Sequence, residues 1–197
     1  MANITPLDRS DLPEFETGFE IIESAMGFVP RSMFTMGRNP ALLEAFTALT
    51  FTVLGPGEVD GGLKQLVAHV ASTAAGCRYC QAHTASSATR NGVDVDKVEA
   101  VWMFETDDRF SEAERAALRL ARDAATVPNA TTAEHFADIA PHFDDNQVIE
   151  LIAVISLFGW LNRWNDTMAT DLEDEPLGFG LDHLAAQGWE PGKHAHA

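Results

Sequence analysis

Apolar residues recur along most of this chain at three- and four-residue intervals, the spacing that lines one face of an α-helix. Leu63, Leu66, Val67, Val70, Ala71 and Ala74 form one stripe, and Ala117, Leu118, Ala121 and Ala125 form another. Period-two alternation, the mark of half-buried strands, is scarce. Polar punctuation agrees with helices. Thr17 with Glu20, Ser111 with Glu114, and Thr131 with Glu134 have capping-box spacing, in which hydroxyl and carboxylate each cap a free backbone N–H. Asn39-Pro40 suits an N-cap followed by proline at the first helical position. The chain is therefore expected to be all-α, with helices near 18–26, 30–37, 40–54, 61–75, 77–91, 95–104, 111–126, 131–140 and 145–169. Loops are expected at "GPGEVDGG" (55–62) and "DLEDEP" (171–176). Residues 1–176 read as one domain, and 177–197 as an extension that wraps a neighbouring subunit or frays, ending in a solvated "HAHA".

One internal echo stands out. Shifted by 85 residues, "QLVAHVASTAAGCRYC" (65–80) lies over "ELIAVISLFGWLNRWN" (150–165), which suggests a repeated helical hairpin within the bundle. Gln65 then meets Glu150, and Cys77 and Cys80 meet Asn162 and Asn165.

Composition narrows the class. A chain of 197 residues, 46% hydrophobic and 22% charged, suits one soluble globular domain. The run "VIELIAVISLFGWL" is too short for a membrane span and carries Glu150. The start, "MANITPLDRSDLPEF", lacks the basic and apolar regions of a secretory signal, so a cytoplasmic location is expected. A net charge of −17 repels a phosphate backbone and argues against nucleic acid as a partner.

The chemistry concentrates in "AAGCRYCQAHTA" (74–85), which holds both cysteines. Gly76 ends an apolar stripe, where a left-handed helix cap is expected. Cys77 and Cys80 then enter the first turn of the next helix, where free N–H groups and the dipole favour a thiolate. One thiolate can attack an electrophile and the other resolve the product as a disulfide. His83 lies three residues beyond Cys80 on the same face, able to exchange a proton with it. His69 is a weaker candidate, because spacing alone does not fix its face. Zinc on Cys77, Cys80 and His83 would lack the fourth ligand of a structural site, although a catalytic zinc needs only three. Two inert buried thiols are the bland alternative.

With "GCRYCQAHTASSATRNG", "VPNA" (127–130) and "LFGWLNRWNDTMAT" (157–170), residues 20–176 resemble the carboxymuconolactone decarboxylase superfamily, in its AhpD-like alkylhydroperoxidase branch of peroxidase-related proteins. The resemblance implies an all-helical fold, trimers or hexamers, and a Cys-x-x-Cys thiol peroxidase without haem, flavin or metal cofactor. Organic hydroperoxides would be the substrate and a dithiol partner the reductant. It also implies that Cys80 attacks and Cys77 resolves, whereas helix-start electrostatics alone favour Cys77. The AhpD pattern places a glutamate twelve residues before the first cysteine and a histidine four after the second. Those positions hold Gln65 and Thr84 here, with His83 displaced by about 100° of helix rotation. His69, one turn after Gln65, or Glu150, its counterpart in the echo, is expected to supply what Gln65 cannot. Arg163 and Asp166 are expected to form a structural ion pair. A muconolactone decarboxylase and an oligomeric redox sensor remain the competing functions.

Overall fold

Residues 2–195 are described by a computed structural model, and every regular element among them is helical. The α-helices are α1 (Glu16–Met26), α2 (Arg31–Met36), α3 (Pro40–Leu54), α4 (Gly61–Ala74), α5 (Arg78–Arg90), α6 (Val95–Glu99), α7 (Glu112–Ala124), α8 (Ala133–Ile139), α9 (Asp145–Met168) and α10 (Asp174–His183). None is long and apolar enough to cross a membrane.

The centre is the α4–α5 hairpin. Leu66, Val67, Ala68, Val70 and Ala71 are all buried, so α4 is apolar on more than one side and is enclosed by α5, α7 and α9. Asp60 starts it by accepting from the Leu63 N–H at 3.1 Å. Lys64, 2% exposed, threads an aliphatic stem through this core and donates its ammonium to the Val53 and Gly55 carbonyls, both at 3.1 Å.

Several helix starts differ from expectation. The Ser111/Glu114 box and the Asn39 cap form, but α1 begins at Glu16 with Phe15 at its N-cap, leaving Thr17 inside the helix. The cap of α8 falls one residue late, at Thr132 instead of Thr131, because His135 replaces Glu134 as the return partner. The Nδ1 of His135 accepts from Thr132 N at 3.1 Å, while its Nε2 donates to Asp123 at 2.8 Å and ties α8 to α7. The expected 95–104 helix breaks into α6 and a single 3₁₀ turn, Val101–Met103. The echo is not a repeated hairpin: 150–165 is uninterrupted within α9, whereas 65–80 bends between α4 and α5.

The largest departure is the C-terminal segment. The loop expected over 171–176 already contains the start of α10, which packs along α5. The chain then returns to the core: Leu184, Trp189 and His194 are buried. Trp189 donates from Nε1 to the Arg78 carbonyl at 3.1 Å, and its ring lies where a Cβ on Gly180 would stand, 2.5 Å away. His194 donates from Nδ1 to Thr170 O at 2.7 Å, and the Leu172 N–H donates to His194 O at 2.9 Å. Of the expected "HAHA" tail, His194 is therefore core, and the final two residues lie outside the described residues.

Candidate functional site

The site begins at the turn between α4 and α5. Gly76 has φ +79°, the left-handed conformation anticipated for it, which costs glycine least. Cys77 follows as the N-cap of α5, its Sγ accepting from the Cys80 N–H at 3.5 Å. Both cysteines are free thiols and buried, Cys77 at 0% and Cys80 at 2% exposure. Asn165 of α9 donates from Nδ2 to the Cys80 sulfur at 3.5 Å. Burial, together with the adjoining Cys77 thiol, pushes the Cys80 thiol well above its ordinary range, and the Asn165 amide acts against that shift.

Cys80 lines a cavity of about 400 Å³, whereas Cys77 lies behind it and outside the lining. Ile22, Met26, Met33, Phe46, Phe158 and Leu161 supply apolar walls. Cys80, Tyr79, His83 and Asn165 give part of the wall a polar character, with Gln65 also in the lining. Access therefore distinguishes the two sulfurs: a molecule in the cavity meets Cys80.

His83 shares the cavity face of α5 with Cys80. Its ring stacks on Tyr79 at 4.2 Å and receives the edge of Phe28 at 5.3 Å. Its Nε2 stands 2.6 Å from Oε2 of Glu173, a carboxylate only 6% exposed. The other oxygen of Glu173 accepts from the Tyr79 hydroxyl at 2.9 Å and the Arg31 N–H at 2.5 Å. Burial by itself raises the Glu173 carboxyl, but the charge of His83 and these hydrogen bonds outweigh it and hold the group below its ordinary value. A buried carboxylate thus orients the imidazole through its Nε2.

Glu173 is the residue that sequence reasoning missed. It is the N-cap position of α10, and tertiary contacts put it there. α9 ends at Ala169 in a left-handed conformation (φ 49°), the chain turns, and Leu172 is clamped between His194 and the Arg31 guanidinium (2.8 Å). The next side chain is thereby aimed at His83.

The other expected participants lie elsewhere. His69 is buried away from the cavity lining; its Nδ1 donates to Gln81 O at 3.0 Å and lies 3.1 Å from the Thr84 hydroxyl. Burial lowers its pKa to about 4, so it is a neutral core imidazole. Thr84, at the family histidine position, donates to the Cys80 carbonyl at 2.7 Å. Glu150 does not reach the cavity lining either. It pairs with Lys64 at 2.9 Å and accepts from the Glu58 and Val59 N–H groups, fastening the 55–60 loop. Neither residue therefore stands in for Gln65. Asp166 pairs with Lys193 at 2.9 Å rather than with Arg163, because the returning C-terminus brings the lysine to it. Among the described residues no three His, Cys, Asp or Glu side chains converge as a metal-ligand set.

Comparison with known proteins bears on this site. The carboxymuconolactone decarboxylase family model matches residues 40–123. No curated protein matches the chain. The apo crystal structure of the debrominase Bmp8 is 40% identical, covers 92% of this chain and 97% of its own, and superposes with a TM-score of 0.86. A cysteine-to-alanine variant of Bmp8 in complex with 2,3,4-tribromopyrrole is 39% identical over 91% of this chain and 96% of its own, with a TM-score of 0.85. An uncharacterised peroxidase-related protein from Ralstonia eutropha, with an alkylhydroperoxidase AhpD core, shares the fold at 20% identity, over 89% of this chain and 94% of its own (TM-score 0.79). With its family-model match over the helical hairpin and Cys-x-x-Cys turn, and a near full-length match at 40% identity, the chain belongs to the carboxymuconolactone decarboxylase family.

Proposed function

We propose that the protein is a dithiol-dependent reductase that removes halogen from a small halogenated aromatic ring. The observation that carries this reading is the placement of the Cys80 sulfur in the wall of an apolar, aromatic-lined cavity, with Cys77 behind it and His83 beside it. The full-length likeness to a debrominase selects the electrophile.

The chemistry follows from the positions. Nε2 of His83 is engaged by Glu173, so proton exchange falls to Nδ1. Burial keeps the resting Cys80 thiol protonated; His83 takes that proton as the substrate arrives, and the Asn165 amide steadies the thiolate. The thiolate attacks bromine on the substrate. A sulfur–bromine bond forms, the carbon–bromine bond breaks, and its electron pair stays on the ring carbon, which takes the proton back from His83. Cys77 then attacks the Cys80 sulfur, bromide leaves with the sulfur–bromine electron pair, and the Cys77 proton is released. The ring gains two electrons and the thiol pair loses two, ending as a disulfide that an external dithiol reduces. An organic hydroperoxide entering the same cycle would yield an alcohol and water.

The test supplies 2,3,4-tribromopyrrole or cumene hydroperoxide with dithiothreitol and follows bromide, peroxide and thiol. Bromide release that needs both Cys77 and Cys80 is expected. Hydroperoxide consumption at high kcat/KM without bromide release would replace the halide by a peroxide as substrate. Lactone turnover surviving loss of both thiols would replace thiol chemistry altogether.

A further inference from the structure

The charge of the cavity runs against that of the chain. Asp and Glu together number 30 in the sequence against 13 Lys and Arg. Yet among the described residues that line the cavity there is no Asp or Glu, and besides His83 the only ionisable nitrogen group is Arg90. Arg90 is in the lining with Gln65, and with Ser87 and Asn91 it makes a polar stretch further along α5 than the one around Cys80 and His83.

The guanidinium is held in place. Its Nη1 donates to Glu175 at 2.9 Å, and Glu175 is steadied in turn by the Ser86 hydroxyl at 2.8 Å. Its carbon lies 5.7 Å from the centre of the Phe28 ring, whose edge meets His83. The contact with Glu175 uses one arm of the planar fork, which has five N–H donors in all. An arginine with one arm fixed is suited to offer the rest to a planar anion.

We propose that the substrate is an amphipathic aromatic acid: Arg90 receives its anionic group while the ring presents its halogen to Cys80. This rests on the dithiol reading of the site. Cys80 and Arg90 are ten residues apart on α5, or about 15 Å of helix axis, a span the arginine shortens because helix side chains lean toward the N-terminus. A bare ring against Cys80 leaves the polar stretch around Arg90 to water, whereas a ring with a short acidic arm reaches both. The net charge does not forbid this. Distant carboxylates are screened beyond about 8 Å at physiological ionic strength, so the contact in the cavity decides.

The test compares the N-carboxyethyl derivative of 2,3,4-tribromopyrrole with its methyl ester by calorimetry, on the wild type, Arg90→Gln and Arg90→Lys. The wild type should bind the acid about ten- to hundredfold more tightly, the usual range for a charged hydrogen bond. Arg90→Gln should lose that preference while keeping its affinity for the ester, and Arg90→Lys should retain part of it. Equal binding of acid and ester to the wild type, or an undiminished preference in Arg90→Gln, overturns the proposal. Should Arg90→Gln lose both ligands, Arg90→Lys decides, since a preference kept supports the proposal and a preference lost refutes it. Bromide release from the same pair is scored separately. If the wild type releases none from either, the debrominase reading fails, and the binding comparison still decides the role of Arg90.

Discussion

Replacing Glu173 by glutamine keeps the side chain's shape and removes its charge. The amide oxygen can still accept from the Arg31 N–H and the Tyr79 hydroxyl, but the amide nitrogen now faces Nε2 of His83 across the gap that was 2.6 Å. Two N–H donors cannot share that space. His83 must therefore turn Nε2 into an acceptor and carry its single proton on Nδ1, the atom assigned to receive the proton of Cys80. Breaking a buried ion pair costs about 3–5 kcal/mol when a charge is stranded. The substitution to glutamine strands no carboxylate, so the cost falls to about 1–3 kcal/mol, that of a lost charged hydrogen bond. A domain of ordinary stability, about 5–15 kcal/mol, stays folded after such a loss. The rate suffers more, because losing general acid–base catalysis lowers kcat by about 10²–10⁴. Stability should also change its response to acid. Because the folded pKa of Glu173 lies below its ordinary value, its contribution is complete above about pH 4.3 and is lost as the pH falls through the folded value. Wild-type urea midpoints should thus decline more steeply below about pH 4.3 than those of Glu173→Gln. Bromide release measured beside urea unfolding separates the two effects. A folded Glu173→Gln protein with wild-type kcat/KM would refute the assignment of His83 and Glu173 as the proton-handling pair.

Asn165→Leu removes the N–H that points at the Cys80 sulfur, so alkylation of Cys80 by iodoacetamide should slow and its pH midpoint should rise, with circular dichroism unchanged. Glu150→Gln should leave turnover intact while lowering stability by about 1–3 kcal/mol in urea unfolding, because the ammonium of Lys64 loses its charged partner. A large loss of kcat in a folded Glu150→Gln protein would return that carboxylate to the catalytic set. Trp189→Ala should cost about 3–5 kcal/mol, as for other buried aromatics, and should lower activity as well because it loosens the segment that aims Glu173. Limited proteolysis should then cleave beyond α9 first.

The hairpin that builds the site was legible because its signals are local. Gly76 marks the turn, the apolar positions of α4 recur at helical spacing, and Cys80 and His83 share a face through their three-residue separation. The carboxylate was not legible, because Glu173 is 90 residues beyond His83 in an acidic stretch whose local pattern signals only a turn. Its position depends on Trp189, His194 and Arg31, contacts with no periodicity to read. α10 was hidden for a related reason. Gly178 and Gly180 depress its intrinsic helicity, and Gly180 is required where the Trp189 ring approaches, so packing rather than propensity makes the helix. The 85-residue echo held real information in another form: it aligned Cys80 with Asn165, which meet across the α5–α9 contact as different partners and not as copies.

The division of labour between the sulfurs is tested most directly by a single turnover without external reductant. The fully reduced protein is mixed with excess 2,3,4-tribromopyrrole, and bromide is counted while the chain is weighed intact. The expected result is one bromide per chain, with loss of two hydrogens from the protein and a peptide map showing Cys77 joined to Cys80. Cys80→Ser should release none, and Cys77→Ser should form no internal disulfide. Repeated bromide release without added dithiol, or undiminished release by Cys80→Ser, would contradict a mechanism in which Cys80 attacks from the cavity wall and Cys77 resolves.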